Sequence, residues 1–149
     1  MISTVSATYN REIMELVRKK KEHVNVLIIG NNPIEITSIY NSLNEYRGKN
    51  YIADVCFNIK DSLVKMIKRK PDCILLDDNL LLDQIKLLIS KIRENSRFSG
   101  IPIVLLKSSN FNFAFGNEVQ DFLLKANLST EILSSTIEKN IGLLRKLWK

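Results

Sequence analysis

Charged side chains follow short apolar runs at three points along the chain. Asp77 and Asp78 follow Cys73-Ile74-Leu75-Leu76, Lys107 follows Ile103-Val104-Leu105-Leu106, and Lys125 follows Val119-Gln120-Asp121-Phe122-Leu123-Leu124. The plainest reading of such residues is structural. Polar side chains end a strand, and Lys125 pairs with Asp77 as a fixed ion pair. The second reading is a site in which ammonium groups and a carboxylate meet a charged ligand. Other chemistries find little support. His23 is the one histidine, and with Cys56 and Cys73 it makes too small a set for a metal centre. There is no glycine-rich phosphate loop and no visible pairing of nucleophile and base.

The elements that would position these residues can be read from periodicity. Tyr9, Ile13, Leu16 and Val17 share one face of a helix over residues 9–22. Val24 to Ile29 is a short apolar run that reads as a buried strand. Asn32 is placed as an N-cap, Pro33 as the first helical residue and Glu35 as the acid of a capping box, with Ile36, Ile39, Tyr40 and Leu43 on the buried face that follows. The alternation repeats. Strands are predicted over 51–57, 73–76, 102–106 and 119–124, and helices around Ile59–Ile67 and Ile85–Ile92. A last helix starts near Ser129 and carries the stripe Ile132, Leu133, Ile137, Ile141, Leu144 and Trp148. Strands alternating with helices require a parallel sheet covered on both faces, and such sheets bind ligands at the carboxyl ends of their strands. The loops to inspect therefore begin at Gly30, Asp77, Lys107 and Lys125. Between Lys107 and Val119, Phe111, Phe113 and Phe115 alternate with small or polar residues in a segment too short for a full helix with two turns, so it reads as a loop or one helical turn.

Composition narrows the class. A chain of 149 residues with 45% hydrophobic and 26% charged residues suits one globular domain. No apolar run reaches the roughly 18 residues of a membrane span, and Met1 to Ser6 lacks the pattern of a secretory signal. A cytoplasmic location with buried, reduced Cys56 and Cys73 is expected. The net charge of +6 is concentrated at Arg18–Lys21, Lys65–Lys70 and Arg145–Lys149, each near a predicted helix C-terminus, where cations suit the helix dipole. Nothing resembles a nucleic-acid-binding motif, so a basic nucleic-acid binder is a weak reading, and an independent enzyme a weaker one.

The run Pro71-Asp72-Cys73-Ile74-Leu75-Leu76-Asp77 resembles the third strand of response-regulator receiver domains (CheY-like), which ends in the phosphorylated aspartate. Ser90 to Asn95 followed by Ile101 to Leu106 resembles the third helix and fourth strand of that family, and Val119 to Lys125 its fifth strand and lysine. The resemblance covers about residues 24–146. It implies a flavodoxin-like (βα)5 fold, a doubly wound parallel sheet in the order 2-1-3-4-5. Residues 1–22 would add an N-terminal helical extension to a receiver-like domain over 23–149, and the fourth helix would be shortened or irregular. It further implies Asp77 as phospho-acceptor, Lys125 as the phosphate-pairing lysine, Asn79 as the residue whose carbonyl faces a Mg²⁺ ion, and Phe122 at the aromatic switch position.

The sequence departs from the family at the metal. Gly30 and Asn31 stand where the family has an acidic pair, and a hard cation such as Mg²⁺ favours carboxylates over a neutral amide, so a site of Asp77, Asn79 and Asn31 would hold it weakly. Lys107 stands where the family has Thr or Ser. It would pair with Asp77 in place of the missing cation, with Ser108 turned to the other face. Two lysines would then compensate one carboxylate without a metal.

The expectation is a non-enzymatic pseudo-receiver of a two-component (phosphorelay) system. It would act by contact with a signalling protein, a histidine kinase or a downstream effector, with impaired phosphorylation at Asp77. The alternative is an active phospho-acceptor in which Asp78 supplies the missing carboxylate. The N-terminal helix and the last helix are further expected either to pack together or to make a homodimer, with Ile13, Leu16 and Val17 facing Ile141, Leu144 and Trp148.

Overall fold

The computed structural model of the chain describes residues 23–108 and 118–147, with side chains as far as residue 142. Five strands, β1 (Val24–Ile29), β2 (Tyr51–Cys56), β3 (Cys73–Asp77), β4 (Ile103–Lys107) and β5 (Asp121–Leu124), alternate with helices α1 (Pro33–Glu45), α2 (Ile59–Lys68), α3 (Leu82–Glu94) and α4 (Thr130–Leu147). All strand pairs are parallel, and the order across the sheet is β2-β1-β3-β4-β5. This is the doubly wound topology expected from the sequence. The strands end within one or two residues of the positions read from periodicity. The helix over 9–22, the Phe111–Phe113–Phe115 connection with its fourth helix, and the proposed contact of the two terminal segments fall outside the described residues.

The sheet is apolar on both faces because parallel strands are covered on both sides. On one face Leu27, Ile29, Ile74, Leu76, Ile103 and Leu105 pack under α2 and α3, with Met66, Leu88 and Ile92 above them. On the other Val26, Ile28, Leu75, Val104 and Leu106 pack under α1 and α4, with Ile36, Leu43, Leu133 and Ile137. Strand pleating sorts the residues, with odd and even positions of each strand going to opposite faces. Both cysteines are buried free thiols in strands, and burial pushes the Cys73 thiol well above the ordinary range.

Local chemistry sets the helix starts. The Asn32 side chain accepts hydrogen bonds from the Ile34 and Glu35 N–H groups, and Pro33 opens α1. Asn58 caps α2 through the Asp61 N–H, while its amide donates to the Asp61 carboxylate. Two tethers hold the layers in register. The Tyr51 hydroxyl at the start of β2 meets Ser134 Oγ at 2.7 Å and Glu138 Oε1 at 2.9 Å on α4. The Arg93 guanidinium at the end of α3 donates to the carbonyls of Ser99, Ile101 and Glu118 and to Gln120 Oε1. Among the described residues, no helix is long and apolar enough to cross a membrane.

Candidate functional site

Asp77 ends β3 at the carboxyl edge of the sheet and is fully buried. Its Oδ1 accepts from the Asn79 N–H at 2.8 Å and from the Lys125 ammonium at 2.5 Å, while its Oδ2 is buried with no partner. Lys125 reaches the same point from the end of β5 because the order β3-β4-β5 places it two strands away at the same edge. Its side chain is only 11% exposed. Burial works against the ammonium. The Asp77 bond and the charges of Asp77 and Glu35 outweigh that penalty, so the Lys125 pKa lies above the ordinary lysine value.

Lys125 serves more than one carboxylate. Glu35 Oε1 lies 3.3 Å from its Nζ and Asp78 Oδ1 lies 3.7 Å away. Glu35, read from sequence as a capping-box acid, is turned to this pair. Its place in the first turn of α1, at the carboxyl edge of the sheet, was the signal for that role. Asp78 is held by Ser108, whose N–H donates to Oδ2 at 3.0 Å and whose hydroxyl donates to Oδ1 at 2.9 Å. The Ser108 oxygen also accepts from Lys125 at 3.3 Å.

Here the sequence reading needs correction. Asp77 pairs in register with Leu106, and paired residues of parallel strands project to the same face. Lys107 therefore leaves from the opposite face. Its ammonium lies 5.1 Å from the centroid of the Phe122 ring, in cation–π geometry, on the α2/α3 side. It is Ser108, expected on the far face, that joins the pocket. Phe122 itself is 44% exposed. The count of two lysines to one carboxylate is overturned as well. Among the described residues one ammonium faces three carboxylates, Asp77, Glu35 and Asp78.

The Mg²⁺ that the family resemblance implies can be tested against the donors present. The Asn79 carbonyl already accepts the Asn31 amide N–H at 3.1 Å. Position 30 cannot supply an acid without movement, since a Cβ there would lie 2.5 Å from Ile36 Cδ1 and 2.9 Å from the Asp77 Cβ. Both oxygens of Asp78 are engaged by Ser108. Of the buried side-chain oxygens described, Asp77 Oδ2 is the one without a partner, and no group of three or more His, Cys, Asp or Glu residues suited to a metal occurs among the described residues. The donor set fits a divalent cation poorly.

A cavity of about 180 Å³ opens beside the pocket, between α1 and the start of α4. Its lining includes Glu35 and Lys125 together with Ser38, Ser42, Ile39 and Leu133.

No protein-family model matches the sequence, and no curated protein sequence matches it. Solved structures do. A two-component response regulator from Clostridium difficile is 25% identical and superposes with a TM-score of 0.65 over 80% of this chain and 96% of its own. The signal receiver domain of an HD domain-containing protein from Pseudomonas fluorescens Pf-5 is 12% identical, with a TM-score of 0.69 over 84% of this chain and 91% of its own. A receiver-modulated diguanylate cyclase from Pelobacter carbinolicus is 22% identical, with a TM-score of 0.62 over 83% and 97%. The architecture is that of a CheY-like response-regulator receiver domain. The chain carries that fold with an aspartate at the end of β3 and a lysine at the end of β5.

Proposed function

We propose that the chain is a two-component receiver module of the pseudo-receiver kind. It acts through contact with a signalling protein, a histidine kinase or an effector, and its Asp77 serves chiefly as an ion-pair anchor. The observation that carries this reading is the Asp77–Lys125 contact in a pocket where Asn31 caps the Asn79 carbonyl. Phosphoryl transfer to a carboxylate depends on positioned cations that neutralise the phosphoryl oxygens. Here one ammonium is already shared among three carboxylates, and the residues that would hold a second cation are neutral or engaged. Two of the similar structures are receivers within larger signalling proteins, the diguanylate cyclase and a signal transduction histidine kinase from Syntrophus aciditrophicus, which supports a role exercised through a partner.

One observation favours the alternative, an active phospho-acceptor. Asp77 Oδ2 is buried but has no hydrogen-bond partner, so its lone pairs are not engaged. Incubation with acetyl phosphate at high Mg²⁺, read on a phosphate-affinity gel, separates the two. The expected result is no retarded band. A band that forms stoichiometrically and disappears in Asp77→Asn would overturn the pseudo-receiver reading.

A further inference from the structure

Helices α2 and α3 pack on one face of the sheet, and one contact on each fixes how the helix is turned. On α2 the Lys65 ammonium reaches the β2 edge, where it donates to the Val55 carbonyl and to Asp54 Oδ1. On α3 the Arg93 guanidinium reaches the segments that lead into β4 and β5. At about 100° per residue, the sides turned away from these anchors carry Lys60, Val64 and Ile67 on α2, and Leu87 and Lys91 on α3. The two sides face one another across a seam, because α2 joins β2 to β3 and α3 joins β3 to β4. Arg97, in the turn after α3, spans the seam at one end and donates to the Ile67 carbonyl at 3.4 Å. The seam is apolar along its length. Val64, Ile67 and Leu87 stay 47%, 60% and 49% exposed, although both helices have already buried a separate apolar side against the sheet. Its banks are cationic. Lys60, Lys91 and Arg97 are exposed, and none makes an ion pair among the described residues. The charge is also unevenly shared. Residues 59–98 hold nine lysines and arginines against six acids, two of which are Asp77 and Asp78 of the Lys125 pocket, whereas residues 118–142 hold two against four. The α2/α3 layer is therefore the side that attracts an acidic partner.

We infer that the α2/α3 seam docks an amphipathic helix of a protein partner, one whose apolar stripe is flanked by Asp or Glu. Contiguous exposed aliphatics rimmed by charge are the mark of a contact surface. A helix laid along the seam would bury Val64, Ile67 and Leu87 against its stripe and set its acids against Lys60, Lys91 and Arg97. The apolar contact supplies the stability, and the charges on the banks steer the encounter and fix the register. A protein helix fits better than an anionic membrane because of the ridge beyond the seam. Asp83 and Glu94 precede and follow Leu87 by four and seven residues, so they stand on the outward ridge of α3 and are exposed. A bilayer pressed on this face would set its anionic headgroups against both carboxylates. A helix confined to the seam meets the cationic banks instead. The inference rests on the reading that the chain acts by contact with a signalling protein. It places that contact on the opposite face of the sheet from the Asp77–Lys125 pair.

The test is a nitrogen-15 NMR titration of the full chain with a designed helical peptide that carries a leucine stripe flanked by glutamates. The same peptide with lysine flanks and vesicles of phosphatidylglycerol form the comparison arms. Saturable shifts at Val64, Ile67, Leu87 and Lys91 are expected with the glutamate peptide and not with the lysine peptide. The affinity should fall by about tenfold or more in Ile67→Asp and in Lys91→Glu. It should be unchanged in Arg47→Glu, which reverses an exposed cation beside α1 on the other face. Ile67 and Lys91 are both exposed, so neither substitution opens the core. Lys91→Glu should also strengthen binding of the lysine peptide, a reversal that damage to the fold does not produce. Four outcomes overturn the proposal: no saturable binding of the glutamate peptide, equal binding of the two peptides, an equal loss in Arg47→Glu, or tighter binding to the vesicles than to the peptide. The titration does not depend on phosphorylation of Asp77. Saturable binding together with a phosphorylated band would keep the seam and remove the pseudo-receiver reading, and the opposite pair of results would do the reverse.

Discussion

The Lys125 ammonium lies 2.5 Å from one oxygen of Asp77, while the other oxygen of the same carboxylate is buried without a partner. The carboxylate is thus satisfied on one side only. Lys125 supplies its charge compensation and the Asn79 N–H supplies its second hydrogen bond. Removing either member of the pair has unequal consequences, and the inequality is measurable.

Lys125→Met strands a fully buried carboxylate, a loss that costs ~3–5 kcal/mol when a buried pair is broken from one side. Asp77→Asn is milder. Lys125 keeps Glu35 and Asp78, and the cost is that of an unpaired amide N–H at the Oδ2 position, ~1–3 kcal/mol. Urea denaturation of the two single mutants and the double mutant should give a clear coupling energy, with the double mutant less damaged than the sum of the singles. Additive losses would mean that the two residues do not act as a pair.

The pH dependence has a definite sign. The folded-state pKa of Lys125 is raised, so the folded protein binds its proton more tightly than the unfolded chain does. The stabilisation is fully present below the ordinary lysine value of about 10.4 and is lost as pH rises through the higher folded-state value. The stability gap between wild type and Lys125→Met should therefore be flat between about pH 7 and 9 and close only in strongly alkaline solution. A gap that narrows near neutrality would contradict the assignment.

The elements and the Asn32 cap were legible in the sequence because each rests on local signals, periodicity and cap chemistry, that do not depend on distant contacts; the strand order came from the family resemblance, and the Asn58 cap was seen only in the structure. Asp77 and Lys125 were legible because they close apolar runs whose strands end at the same edge. What sequence missed was the face. Whether Lys107 or Ser108 meets Asp77 depends on the register Asp77↔Leu106 between β3 and β4, and a shift of one residue moves every side chain across the sheet. Glu35 was misjudged for a related reason. Its local role as a capping acid and its tertiary role beside Lys125 call for the same residue at the same place, and sequence cannot tell them apart.

Positions 30 and 31 should respond differently to restored acids. At Gly30, any side chain starts against Ile36 Cδ1 and the Asp77 Cβ. Gly30→Ala should cost ~1–3 kcal/mol through overpacking, and Gly30→Asp should gain no Mg²⁺ affinity in proportion to its added charge. Asn31 is exposed, and Asn31→Asp both adds a carboxylate and releases the Asn79 carbonyl from the amide that caps it. Calorimetric titration should show Mg²⁺ affinity rising about tenfold or more in Asn31→Asp. An unchanged affinity would mean that the Asn31–Asn79 contact does not limit the site.

The most demanding structural role outside the pocket belongs to Arg93. Its guanidinium is half-buried, and burial lowers its pKa while the nearby Glu118 acts in the opposite direction. It donates at 2.8 Å to the carbonyls of Ser99 and Ile101, at 2.6 Å to that of Glu118 and at 2.8 Å to Gln120 Oε1. Gln120 Oε1 in turn accepts the Ile103 N–H that opens β4. One planar side chain thereby fixes the segments that lead into β4 and β5, the two strands that deliver Ser108 and Lys125 to Asp77. A lysine carries a point charge with three donors and cannot reproduce the fork. Arg93→Met should therefore destabilise by ~2–4 kcal/mol, and Arg93→Lys should recover little of that loss. Hydrogen exchange should quicken first at Ile103 and around Gln120, ahead of the β1–β3 core. If Arg93→Lys were as stable as wild type, with exchange at Ile103 unchanged, charge alone would be doing what is here assigned to the geometry of the guanidinium.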